Sequence, residues 1–386
     1  MCSSRSTREQ FHAHVHLVGG GPPAAKDGCF SFAWASVREC RPIRERRLRA
    51  QRRSYCAAML TEPADLDRAE LAAVVERHWG LGPLRFEYVP VGFGSHHWRA
   101  GPWFITVDDL AAGHQAYPDP DASFSALDRA YRTAAALRDG AGLDFVVAPV
   151  PDADGAVIRR LSDRYAVTVF PFIDGQSSEW GPYETDDERR TMGGILGRLH
   201  AATERLPAGL PRVEDLAVPA RAALEDALSD LQQRWTTGPF AEPTRRLLAE
   251  SAAEIENVLR DYDLLAGNAR AGSDAWVITH GEPHRANVIR GPGGRRDLVD
   301  WDTALVAPRE RDLYMVLGDD LTGWDEYAAV LPAELDQTTL RLYRRWWELA
   351  DITTFVHLFR QPHTHTEQTA ASWKIMADNL GHLLHP

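Results

Sequence analysis

The chain has 386 residues, 44% of them hydrophobic and 25% charged, the proportions of a folded soluble protein with room for two to three domain-sized units. Its formal charge of -12 divides into +7 over residues 1–58 and -19 over the rest, and so acidic a body argues against a nucleic-acid partner. No apolar run approaches bilayer length, which argues against a membrane span, and all four cysteines (Cys2, Cys29, Cys40, Cys56) precede residue 59. The body therefore needs no disulfide and offers no thiolate to a metal, as expected of a cytoplasmic protein.

Residues 1–58 contain a Gly-Gly-Gly-Pro-Pro run and an arginine-rich stretch but no sustained periodicity, and read as a disordered or mis-started extension. In the second case translation begins at Met59, and Asp65 caps a helix with the apolar pattern Leu66, Leu71, Val74 and Val75. Next come strands at 84–91, 97–99 and 103–107, the first two separated by the glycine turn Gly92-Phe-Gly-Ser95. A helical period covers 123–138, and strands follow at 145–147, 157–160 and 165–170, ending at Pro171-Phe-Ile-Asp-Gly175. Helices then dominate: 186–203, 216–235 and 243–264.

The most informative stretch is Ile278-Thr-His-Gly-Glu-Pro-His-Arg-Ala-Asn287, followed by Leu298-Val-Asp-Trp-Asp302. Apolar pairs, Val288-Ile289 and Leu298-Val299, flank a Gly-Pro-Gly-Gly turn at 291–294, the pattern of a hairpin. Such a hairpin brings Asn287 and Asp300 together as oxygen donors suited to a magnesium–nucleotide complex, with Glu282 one short loop away. Helices at 310–317, 338–350 and 372–384 complete the chain. His96-His97 and His363-Thr-His365 carry zinc-like side chains without a complete ligand set and read as solvated loops.

These residues resemble the catalytic loop and metal hairpin of the aminoglycoside phosphotransferase and choline kinase-like family. His280, Gly281, His284, Asn287, Asp300 and Trp301 match its motif, and Glu282 stands where the family has aspartate. The resemblance implies an α+β, bilobal protein kinase-like fold: an antiparallel-sheet N-lobe over 59–173 and a mainly helical C-lobe over 174–386. It implies Glu282 as catalytic base and Asn287 and Asp300 as magnesium ligands, with ATP or GTP as co-substrate. Gly92, Gly94 and Ser95 would cover the phosphates, and Phe170 and Phe172 would lie beside the base at the hinge. His280, His284, Asp302 and Asp312 would support the site, the histidines by orienting the loop and Asp312 as a buried anchor.

One departure bears on activity. The third strand of the family carries a lysine that holds the phosphates, paired with a glutamate on the next helix. Here Thr106 falls at that position, the chain has only Lys26 and Lys374, and the helix at 123–138 has no glutamate. Three readings stay open: an arginine substitute (Arg99, Arg159 or Arg160), phosphoryl transfer on magnesium alone, or loss of transfer with ligand binding retained. The resulting expectation is a phosphotransferase acting on a hydroxyl of a small molecule, a cationic antibiotic or amine among the candidates. The alternative is a kinase-like binding protein with weak or no catalysis.

Overall fold

The computed structural model describes residues 62–91, 94–111, 117 and 119–384; the expectations for residues 1–58 and for Gly92 lie outside them. The first helix, α1 (Arg68–Trp79), is capped by Asp67, whose carboxylate accepts from the Ala69 amide, rather than by Asp65. Asp65 instead accepts from the Tyr165 hydroxyl and pairs with Arg164. Strands β1 (Glu87–Val89), β2 (Ser95–Ala100) and β3 (Trp103–Asp109) follow. Helix α2 (Pro120–Ala135) has Asp119 at its N-cap and proline in its first turn, so it starts three residues before the periodic region. Strands β4 (Arg159–Arg160) and β5 (Tyr165–Pro171) complete an antiparallel sheet of order β1-β2-β3-β5-β4.

Side-chain alternation divides this sheet into two faces. Trp98, Ile105, Val107, Val167 and Val169 pack with Leu71 and Val75 of α1. On the opposite face Ala166 and Phe170 pack with Tyr131 of α2. That face also carries Ser95, His97, Thr106, Asp108 and Thr168, in a register that sets His97 opposite Thr106 and Thr106 opposite Thr168. The expected strand at 145–147 is a single parallel bridge from Val146 to Leu298, and 157–160 shrinks to β4.

The helical part begins with α3 (Asp186–His200), whose N-terminus is a capping box between Thr185 and Glu188. A short strand, β6 (Arg212–Val213), precedes α4 (Arg221–Ser229), α5 (Ala241–Glu250) and α6 (Ala252–Ala271). Two expected helices are corrected here. The one over 216–235 is only α4, because Leu216 and Ala220 adopt left-handed backbone conformations (φ 57° and 52°) that no helix tolerates. The one over 243–264 is two helices, broken where Ser251 leaves the helical region.

Strand β7 (Val277–Thr279) leads to the loop 280–287, and β8 (Val288–Arg290) pairs with β9 (Arg296–Leu298) in the expected hairpin. Strand β10 (Leu305–Ala307) joins β7 and β6 in a three-stranded sheet. Helices α7 (Glu310–Val316), α8 (Trp324–Val330), α9 (Gln337–Arg360) and α10 (Glu367–Leu384) follow. Helix α9 runs ten residues past its expected end because Ile352, Val356 and Phe359 continue its buried stripe. Helix α3 lies close against the start of α8: a Cβ on Gly193 would stand 2.0 Å from the Gly323 carbonyl oxygen.

Two connections bind α2 to its surroundings. Its Tyr131 hydroxyl hydrogen-bonds Asp108 of β3 at 3.3 Å. Its Arg129 guanidinium donates to the carbonyls of Gly209, Leu210 and Pro211, in the segment just before β6. Among the described residues no helix is long and apolar enough to cross a membrane.

Candidate active site

The loop 280–287 is held from beneath by α7. Asp312, fully buried, accepts from the backbone amides of His280 (2.9 Å) and Gly281 (2.6 Å) and from the His200 Nε2 (3.1 Å). Burial works against its charge, but the His200 hydrogen bond and the charges of His200 and Arg311 outweigh it and hold its pKa below the usual carboxylate value. Gly281 is required sterically. Its φ is +100°, and a Cβ there would stand 2.4 Å from the Arg311 guanidinium.

His280 is buried, with Nε2 2.8 Å from the Val299 carbonyl and Nδ1 accepting from the Glu282 amide at 3.2 Å. Burial lowers its pKa to about 4, so at neutral pH it is an uncharged brace joining the loop to the hairpin. Trp301, fully buried, packs its ring edge-on against His280 with centroids 4.6 Å apart and donates to the Leu298 carbonyl. Tyr183 donates to the Pro283 carbonyl at 2.8 Å, which fixes the loop beside Glu282.

The functional candidates converge on this frame. Asn287 donates its amide to the Glu282 carbonyl at 3.0 Å, and its own carbonyl accepts from the Val299 amide, the residue before Asp300. The Asn287 side chain also lies near enough to Asp300 to favour its charged form. The Glu282 carboxylate lies 3.6 Å from His284 Nε2, with its side chain 29% exposed. Asp300 has a left-handed backbone (φ 70°), a costly conformation for aspartate that its surroundings must hold in place.

Asp300 presents exposed surface, yet protein crowds its carboxyl closely. Desolvation first, then the negative charges of Asp302, Glu282 and Asp108, push its pKa well up. Water reaching the carboxyl moderates the desolvation; the repulsion among four carboxylates remains. An oxygen-only donor set under such repulsion suits a hard divalent cation, whose charge would relieve it. Asn287 and Asp300 fit magnesium on that test.

The remaining sequence candidates are placed as follows. Gly94 (φ 88°) forms the turn before β2, and the Ser95 hydroxyl donates to Asp108 at 2.6 Å. Phe170 packs edge-on against Tyr131 in the core. Phe172 carries the Arg99 guanidinium 4.1 Å above its ring, and its amide donates to the Pro102 carbonyl. Arg99 thus lies at the hinge end of the sheet, away from Ser95. Arg159 pairs with Asp152 and Asp154, and Arg160 with Asp121. The groups with the largest influence on Asp300 are carboxylates and an amide, none an arginine.

Of the two histidine pairs expected in solvated loops, His96-His97 lies on β2 instead, whereas His363 and His365 do lie in the loop between α9 and α10, with His365 exposed. His96 is buried on β2, its Nδ1 3.1 Å from the Tyr88 hydroxyl, whereas His97 lies on the opposite face. His363 accepts from the Phe240 amide and stacks on the Phe240 ring. Sequence reasoning missed Asp108 and Tyr131. Strand alternation from Thr106 puts Asp108 on the same face, but its partners come from β2 and α2, which no local pattern identifies.

The sheet-rich lobe, helical lobe, braced loop and hairpin together define a protein kinase-like fold of the small-molecule kinase type. The profile of the Phosphotransferase enzyme family matches residues 98–354, and the chain belongs to that family. It is 29% identical over 301 residues to Protein StrN of Streptomyces griseus, a match covering 75% of this chain and 84% of that protein. Its fold is similar to that of a spectinomycin phosphotransferase crystallised with ADP and spectinomycin: TM-score 0.61, 16% identity, 81% of this chain and 94% of the other. A microcompartment-associated aminopropanol kinase follows, with TM-score 0.50, 18% identity and the same two coverages.

Proposed function

We propose that this protein transfers the terminal phosphoryl group of a nucleoside triphosphate to a hydroxyl group of a small molecule. The observation that carries the reading is the convergence of Glu282, Asn287 and Asp300 on one braced loop and hairpin. In this reading Asn287 and Asp300 hold magnesium, and a bound magnesium ion would neutralise charge on the phosphates. The acceptor oxygen bonds to the γ-phosphorus while the bond from that phosphorus to its β–γ bridging oxygen breaks. The acceptor proton passes to Glu282, and a nucleoside diphosphate leaves with the bond's electron pair.

Glutamate is one methylene longer than the family's aspartate but has nearly the same intrinsic acidity. Pro283 restrains its backbone and Tyr183 fixes the Pro283 carbonyl, so the added reach falls on the side chain alone. The spectinomycin phosphotransferase neighbour supports an amine-bearing cyclic alcohol as acceptor, and the acidic residue Glu184, paired with Arg285, borders the loop from the 176–185 segment. ADP in that neighbour supports a nucleotide co-substrate.

A second reading, a kinase-like binding protein, is favoured by one observation: Thr106 replaces the lysine, and Arg159 and Arg160 are paired elsewhere. Acceptor-dependent release of ADP, followed by phosphorus NMR of the product, separates the two. Magnesium–nucleotide binding without turnover across amine-bearing alcohols would favour the binding protein. Failure to bind magnesium–nucleotide at all would sink the transferase and leave only the binding of a small ligand.

A further inference from the structure

We infer that His97 takes the place of the missing lysine and donates a hydrogen bond to the nucleotide phosphates; the inference rests on the nucleotide-dependent reading above. His97 lies on β2, directly across the strand pair from Thr106, the residue at the lysine position. It is the member of the His96-His97 pair on the sheet face shared with Ser95 and Asp108; His96 is on the other face, against Tyr88. The ring is oriented on two sides. Its Nδ1 lies 3.3 Å from the Thr106 hydroxyl, and it stacks on Phe104 with centroids 5.0 Å apart and planes 24° from parallel.

With Nδ1 engaged, Nε2 is the ring atom left to meet a ligand, and the side chain is only partly enclosed. The residue sits two positions from Ser95 at the end of the glycine turn, on the strand that a phosphate-covering loop feeds into. Its position is therefore reached from β2 instead of β3. Burial, and then the neighbouring His96, lower the pKa to about 4, so the imidazole is neutral at pH 7. A neutral ring fits the sheet face it shares with the Asp108 carboxyl, which burial pushes up to about 7, without needing the carboxylate partner on α2 that a lysine would need. The absence of a glutamate on α2 and the hydrogen bond from Tyr131 to Asp108 then belong to one rearrangement.

Calorimetric titration of the full chain with magnesium–ADP and, separately, with adenosine tests this. In His97→Ala, ADP affinity should fall about tenfold or more, the loss of one hydrogen bond to a charged acceptor, while adenosine affinity holds. His97→Gln, whose amide nitrogen reaches close to the position of Nε2, should keep ADP affinity within about threefold. Unchanged ADP binding in His97→Ala overturns the inference, as does an equal loss of ADP and adenosine, which would mark a purely structural ring. Gln behaving like Ala despite an unaltered melting temperature would also overturn it. If the wild type binds no magnesium–nucleotide, the proposed function fails first, a result distinct from any of these.

Discussion

At Asp300 a strained backbone and a crowd of like charges meet at one residue. Asp300→Gly removes the carboxylate and suits the left-handed backbone, so it should melt no lower than the wild type without magnesium and should lose any magnesium-dependent stabilisation by nucleotide. A full magnesium-dependent shift in that variant, measured by thermal melting, would show that the cation is held elsewhere; chelation of the wild type provides the control. Glu282→Gln keeps the size of the side chain and removes its basicity. Turnover should fall by about two to four orders of magnitude, with the KM for nucleotide nearly unchanged. A parallel rise in KM would mean that Glu282 binds nucleotide instead. Gly281→Ala adds a methyl group against Arg311 at a left-handed position and should destabilise by about 1–3 kcal/mol, read from urea unfolding. Residues of this kind were legible where they form a motif: His280, Gly281, Asn287 and Asp300 are spaced by the loop and hairpin they build. Asp108 and His97 were not, because their roles depend on cross-strand register, which sequence alternation leaves free.

At the scale of elements, the braced loop depends on α7. Asp312 at its first turn receives two loop amides and His200, so Asp312→Asn should destabilise the protein and loosen the loop together. The sign of the pH effect follows from the lowered pKa. A carboxyl with a depressed folded-state pKa stabilises above its unfolded value of 3.8 and loses that contribution as pH falls through the folded value. The stability gap between wild type and Asp312→Asn should therefore be full at pH 5 to 7 and narrow below about pH 4. A gap that stays constant to pH 2 would mean the charge contributes nothing. The β8–β9 hairpin was readable because a Gly-Pro-Gly-Gly turn and apolar flanks mark it. Strands β6 and β10 are two and three residues long, too short to show a period, and form only because β7 offers an edge to β10, which in turn offers one to β6. The helix over 243–264 has an unbroken apolar pattern on both sides of Ser251, so the break there was hidden by the packing it serves.

At the scale of the whole molecule, the two-lobe arrangement was legible from the order of a strand-rich half before a helix-rich one, anchored by the loop motif. What holds α2 in place was not, since Arg129 and its three carbonyl partners are some 80 positions apart in sequence. Arg129→Ala should raise hydrogen exchange across α2 and lower the melting temperature, while Arg129→Lys, unable to span three carbonyls, should fall between. Exchange in α2 that is unchanged by Arg129→Ala would show that apolar packing alone places the helix.

That clamp also sets how the protein meets its solvent. A helix positioned by a lysine–glutamate pair is placed by attraction between two full charges, which dissolved ions weaken where the pair is exposed. Here one full charge faces the fixed dipoles of backbone carbonyls, and the second attachment is a phenol hydroxyl on a buried carboxyl. At about 1 M ionic strength, where the screening length is roughly 3 Å, contacts this short, all but the one to Gly209 at least partly buried, keep most of their strength. Exchange protection of α2 measured from dilute buffer to molar potassium chloride should stay flat, which would leave the placement of α2 between the sheet and the segment before β6 insensitive to ionic strength.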